Sequence, residues 1–247
     1  MINIKTKEEI SIMAEGGKLL ADVLRKIEKE VKPGLETKKL DSLAESLIKK
    51  AGGEPSFKGY GGFPATMCIS INDEIVHGIP SERKIEEGDI ISLDIGMKYK
   101  GYHSDMATTL SVGEISLKAK KLLEVTKKSL EIGISKVKPG RTFGDIGNAI
   151  QEYAESNGFG VVRDLCGHGI GRNLHEDPEI LNYGKKGSGF KIEEGMVFCL
   201  EPMITIGDWK IKMGKDGYVF KTRDGSLSAH FEHMMAVTKD GCKVLTK

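Results

Sequence analysis

The sequence predicts an α+β fold: one pseudo-symmetric domain with a central antiparallel sheet and helices on its outer face. Three observations carry that prediction. "VKPG" occurs at residues 31–34 and again at 137–140, and "KIEEG" occurs at 84–88 and again at 191–195, so the two strings recur at offsets of 106 and 107 residues. A helix-like pattern follows each VKPG, and strand-like runs follow each KIEEG. No Pro/Gly/Ser-rich linker separates the copies. One domain over 1–247 is therefore expected, built from internal halves of about 7–113 and 117–240.

The elements follow in order. Helical patterning begins near Lys7, and "KLL" precedes VKPG in both copies. "TKKLDSLAESLIKKAGG" and "TFGDIGNAIQEYAESNGFG" each open at a threonine suited to N-capping, Thr37 and Thr142, and stop at glycine. Residues 66–75 alternate as a strand does, and 89–98 with 101–112 read as a hairpin. Residues 196–206 and 228–238 read as late strands, with "GKDG" at 214–217 as a hairpin turn. "HGI", at His77 and His168, precedes each KIEEG. "DIISLD" and "MVFCLE" follow it, which aligns Asp94 with Glu201. "HSDMATT" and "HFEHMMAVT" align Asp105 with Glu232.

Composition narrows the function. The 247 residues are 39% hydrophobic and 30% charged, with a net charge of +1. That balance describes a folded soluble chain without the field expected of a nucleic-acid or anionic-membrane binder. "MINIKTKEEI" lacks the apolar core of a secretory signal, and no run approaches a membrane span, so a cytoplasmic protein is expected. The four cysteines form no CxxC pair and read as free thiols.

Asp94 and Asp105 stand where a strand would place core-facing apolar residues. Buried unpaired carboxylates are costly, and four of them together would repel. Each acid alone could cap a turn or pair with Lys or Arg. As a set matched across a repeat, Asp94, Asp105, Glu201 and Glu232 point instead to a site for two divalent metal ions. Oxygen donors with one imidazole suit Mn, Fe, Co or Zn, and His168 in "CGHGIG" is the natural nitrogen donor. GxSxG, GxxxxGK[ST] and HExxH are absent. "GKKGSG" at 184–189 reads as a mobile loop rather than a phosphate cradle.

The strings "CISINDEIVHGIP", "SLDIGMKYKGYHSDMATT", "CGHGIGRNLHEDP", "EPM" and "SLSAHFEH" resemble those of type I methionine aminopeptidases, over essentially the whole chain. The resemblance implies the pseudo-two-fold pita-bread fold of metallopeptidases. It implies that Asp94, Asp105, His168, Glu201 and Glu232 are the metal ligands, with Asp105 and Glu232 bridging two ions. A bridging hydroxide would attack the first peptide carbonyl, and Glu201 would move its proton to the leaving amine. His175 would steady the carbonyl oxygen, and His77 would contact the backbone nitrogen of the second residue. Tyr60, Phe63, Cys68 and Tyr218 would wall the methionine side chain.

The chain departs from the family pattern at Leu174, at Tyr218 and at His230, where an aromatic, a Trp and a Gln are common. His103, His230 and His233 are read as non-catalytic. By the same resemblance the substrates are N-termini of nascent polypeptides with a small second residue, and the form is bacterial-type. Such an enzyme would meet the ribosome transiently, although no segment marks a ribosome contact. No specific nucleic acid, no membrane and a monomer are expected. Two rivals stand beside this reading: an Xaa-Pro-type peptidase, and an inactive binding protein on the same fold.

Overall fold

The computed structural model describes residues 2–247. The first half holds helices α1 (Lys7–Glu28) and α2 (Thr37–Lys50). Its strands are β1 (Glu54–Pro55), β2 (Met67–Ile71), β3 (Glu74–Val76), β4 (Ile90–Tyr99) and β5 (Tyr102–Ser111). The second half holds α3 (Leu117–Lys136) and α4 (Phe143–Ser156). Strands β6 (Gly160–Val161), β7 (Gly167–Gly169), β8 (Glu176–Ile180), β9 (Val197–Leu200) and β10 (Met203–Thr205) follow. The chain closes with β11 (Ile211–Met213), β12 (Phe220–Thr222), β13 (Ser228–His230), β14 (Glu232–Thr238) and β15 (Gly241–Val244).

The repeated strings are partners of one another. In each half the VKPG turn packs on the KIEEG segment. Gly34 N–H donates to Ile85 O at 2.8 Å, and Gly140 N–H donates to Ile192 O at 3.0 Å. Isolated bridges join Glu36 to Lys84 and Thr142 to Lys191. The turn glycines share a left-handed backbone, with φ of 84° and 86°, which explains why glycine stands at both. Helices α2 and α4 each run 14 residues and start 106 positions apart.

Their caps differ. Thr142 caps α4 in a reciprocal box with Asp145. Thr37, expected to cap α2, is instead its first helical residue. Its hydroxyl donates to Ser81 O and accepts from Ser81 N–H, so it is engaged away from the helix end. Glu36 occupies the cap position without a side-chain bond.

Strands β4, β5, β14, β9, β7 and β8 form one antiparallel sheet in that order, with β1 and β2 paired to β4 and β15 paired to β14. The expected hairpin is present, turned by Lys100 and Gly101 with φ of 48° and 85°. "GKDG" turns β11 into β12. Three expected strands are broken. Residues 66–75 divide at Asn72, where φ is 60°. Residues 196–206 divide at Glu201–Pro202, since proline has no N–H for the ladder. Residues 228–238 divide at Phe231. The pieces that leave the large sheet at the last two breaks, β10 after Pro202 and β13 before Phe231, pair with each other in a separate small sheet. The two "HGI" strings also part company: His168 lies in β7 of the large sheet, whereas His77 follows β3 in a different one.

Period-two alternation explains which residues reach the site. Ile91, Leu93, Ile95 and Met97 of β4 pack into the core made with α1 and α2, which sends Asp94 to the other face. Phe198 and Leu200 of β9 and Met235 and Val237 of β14 join the α4 core, so Glu201 and Glu232 fall on the face away from it.

Candidate metal centre

Strand register lines up the acids. Asp94 opposes Ala107, and Ala107 opposes Glu232 on the next strand, so the two carboxylates share one row. Asp105 lies two residues from Ala107 on the same face of β5. Glu201 follows Leu200, which opposes His233, and so extends β9 alongside Glu232. Oxygens of Asp94, Asp105 and Glu232 lie within 4.8 Å of one another. His168 enters from β7, with Nε2 3.7 Å from Glu201 Oε1 and 4.0 Å from Asp105 Oδ2.

The bonding of these groups is incomplete without a cation. Asp94 Oδ1, Asp105 Oδ1 and Glu232 Oε1 are buried and accept no hydrogen bond. Among the described residues, no Lys or Arg forms an ion pair with any of the four acids. Burial raises all four carboxyls above their usual range, and mutual repulsion adds to it for Asp105, Glu201 and Glu232. Asp94 is raised to about 6, with burial as the main cause and His230 opposing it. His168 Nδ1 lies 2.9 Å from its neighbour's carbonyl, Gly169 O. A carbonyl only accepts, so Nδ1 carries the proton and Nε2 faces the acids as a bare acceptor. Burial, with His175 second, lowers the His168 pKa to about 3, which keeps that lone pair free. Hard oxygen donors plus one such nitrogen fit a divalent cation of the Mn, Fe, Co or Zn kind.

Cys199 lies beside the same atoms, within 4.8 Å of a His168 nitrogen and a Glu232 oxygen. Burial and the neighbouring acids hold its thiol well above the usual range, so it stays protonated rather than acting as a thiolate donor.

A cavity of about 750 Å³ opens over this cluster. Every residue proposed from the sequence lines it: the five donors, His77 and His175, and Tyr60, Phe63, Cys68 and Tyr218. The Phe63 and Tyr218 rings meet edge to face with centroids 5.6 Å apart. Phe57 and Leu174 complete the apolar wall. Phe57 was not anticipated, because it precedes the "GYGGF" turn and carries no motif of its own. The His175 ring packs edge-on to His168, with centroids 4.2 Å apart, and its Nδ1 lies 2.8 Å from Tyr60 Oη. His77 has φ of 61° and contacts Phe220 edge to face. Although part of its ring is open to solvent, the dense cavity wall lowers its pKa to about 4, chiefly by desolvation.

Two further groups support the site. His230, read from the sequence as non-catalytic, is buried with Nε2 3.5 Å from Glu201 Oε2. His103 and His233 are occupied elsewhere, by Ser56 and Thr246. Lys5 Nζ lies 2.6 Å from Glu176 Oε2, and both side chains are buried. The other Glu176 oxygen accepts Asn173 N–H at 3.2 Å, closing the turn that carries Leu174 and His175. An N-terminal lysine thus braces the loop of a catalytic candidate, a long-range pairing that no local pattern announces.

The family is decided by comparison with known proteins. The model of metallopeptidase family M24 matches residues 11–239. The chain belongs to family M24. It is therefore a metallopeptidase of a family that uses divalent metal, and the acid cluster is its candidate site for one. Within M24 it is 49% identical to a methionine aminopeptidase of Clostridium acetobutylicum, across 100% of this chain and 99% of that one. A crystal structure of methionine aminopeptidase from Thermotoga maritima superposes with a TM-score of 0.98 at 45% identity, each chain fully covered. The prolidase from Pyrococcus furiosus is more distant: TM-score 0.79 and 27% identity, with 99% of this chain matching 65% of that one. This M24 peptidase has the pita-bread α+β fold.

Proposed function

We propose that this M24 peptidase is a bacterial-type methionine aminopeptidase. It removes the N-terminal methionine of newly made proteins and peptides with a small second residue. The observation that carries the reading is the set of orphaned carboxylate oxygens and the bare His168 nitrogen facing one cavity. Asp94, Asp105, His168, Glu201 and Glu232 would hold two divalent ions. When bound, the ions supply water activation near neutral pH and neutralise charge on the reacting carbonyl.

The chain's own groups do the rest. Glu201, at the cavity side of the cluster, takes the proton of the attacking water and returns it to the leaving amine. When Tyr60 donates its hydroxyl proton to Nδ1 of His175, the imidazole proton resides on Nε2. That N–H donates to the carbonyl oxygen as it gains charge. His77, neutral at pH 7, accepts the N–H of the second residue. The Phe57, Tyr60, Phe63, Cys68, Leu174 and Tyr218 wall receives the methionine thioether, which packs well on aromatic edges. The unit is one domain of two halves, cytoplasmic and monomeric, meeting its substrates as they leave the ribosome.

The test is release of methionine from Met-Ala-Ser, beside an Ala-Pro peptide, after reconstitution with Mn or Fe. Chelator-sensitive methionine release is expected. Cleavage of the Ala-Pro peptide alone would move the assignment to the proline-specific branch, and cleavage of neither would favour a binding role.

A further inference from the structure

A second hollow of about 510 Å³ adjoins the catalytic cavity, and Asp177 and Glu179 line both. They belong to β8, the last strand in the order of the large sheet. Strand β7 pairs one edge of β8, and no strand among the described residues pairs the other. Along β8 the exposed positions alternate. Asp177, Glu179 and, just beyond the strand, Leu181 face solvent, while Pro178 and Ile180 are buried. From Asp177 to Leu181 the chain covers about 13 Å at about 3.3 Å per residue, the reach of about four extended substrate residues.

The far end of this track is apolar and open. Leu181 and Phe190 are 39% and 64% exposed. Phe190 closes the "GKKGSG" segment, which was expected to be mobile but is fastened to α4. Gly144 N–H donates to Ser188 O, Phe143 N–H to Phe190 O, and Gly187 N–H to Asp145 Oδ1, at 2.9, 3.1 and 3.0 Å. The exposed ring is therefore presented by a braced loop. Pro178 interrupts the free edge as a template for continuous strand addition, so recognition falls to side chains.

We infer that this track holds the substrate polypeptide beyond the scissile bond. Its fourth and fifth residues lie along β8, where Glu179 favours a basic side chain. Its sixth and seventh lie against Leu181 and Phe190, which favour bulky apolar ones. The occupant follows from continuity with the cavity that cuts the chain, from the acidic wall, and from the length of the path. The inference rests on the aminopeptidase reading above.

The test compares kcat/KM for Met-Ala-Ser, Met-Ala-Ser-Lys-Lys-Leu-Phe and Met-Ala-Ser-Glu-Glu-Ser-Ser, on the metal-loaded native protein and on the double variant Leu181→Ser/Phe190→Ser. The basic–apolar heptapeptide should exceed the tripeptide about tenfold, and the acidic one should fall below it. The double variant should lose most of the heptapeptide gain and leave tripeptide turnover unchanged. Equal rates for all three peptides, or a parallel loss on all three in the variant, would overturn the track while leaving the aminopeptidase standing. No cleavage of any peptide would overturn both.

Discussion

The two halves reach the same site by different means. In residues 7–113 the acids ride an unbroken hairpin, with Asp94 and Asp105 in the interior of ten-residue strands. In residues 117–240 they stand where strands leave the sheet. Glu201 follows the last residue of β9 just before Pro202, and Glu232 opens β14 just after Phe231. The two departures meet again, because Met203 pairs with His230 in the small sheet. The first half supplies short aspartates from a rigid floor. The second supplies longer glutamates at strand ends and His168 from β7. The repeated turns and helices are thus kept while the strands of one half are broken.

If both halves serve one cation site, their acids are equivalent. Asp105→Asn and Glu232→Gln should each lower methionine release at least about 100-fold, more than loss of a supporting hydrogen-bond partner costs. Each should also raise the melting temperature of metal-free protein, by removing one buried repelling charge. Tolerance of either substitution, seen in steady-state rates at saturating Mn, would break the comparison.

The next effect is on the brace. Lys5→Met leaves the Glu176 carboxylate buried with only its Asn3 and Asn173 hydrogen bonds, and breaking a buried pair costs about 3–5 kcal/mol. At about 2–4 °C per kcal/mol for a chain of this size, calorimetry should show a fall of roughly 10 °C. An apolar replacement of both partners should recover most of that loss. A smaller contrast sharpens the helix comparison. Thr142→Ala removes the α4 cap and should cost about 1 kcal/mol in urea unfolding, whereas Glu36→Ala at the α2 cap should cost almost nothing.

Much of this was legible because local signals agreed. VKPG and KIEEG exposed the duplication since glycine is required at the same left-handed turns in both copies. Asp94 and Asp105 stood out as acids at strand positions expected to face a core; in the fold they lie on the face opposite Leu93 and Met106. The strand breaks were less legible. Pro202 announced one, but Phe231 carries no breaking signal, and its split follows from pairing of β13 with β10. The Lys5–Glu176 brace and the place of His230 against Glu201 join residues far apart in sequence, which only folding brings together. Thr37 misled because a hydroxyl that can cap a helix can equally bind Ser81.

The central claim is that the four acids are compensated by divalent cations. Their carboxyls are raised in the folded chain, Asp94 to about 6, so without metal the folded state holds more protons than the unfolded one. Stability from such groups is full below the unfolded pKa and is lost as pH rises through the folded one. The buried histidines are lowered and act oppositely from about pH 7.5 downward, where an unfolded imidazole of pKa about 6.5 begins to charge. The window from about pH 8.5 down to 7.5 is therefore dominated by the carboxylates. The deciding measurement is calorimetric melting of chelated protein across that window, with and without Mn²⁺. The account predicts a melting temperature that climbs as pH falls in metal-free protein, and a Mn²⁺ addition that raises it at pH 8 and flattens the slope. A flat metal-free profile that Mn²⁺ leaves unmoved would contradict it.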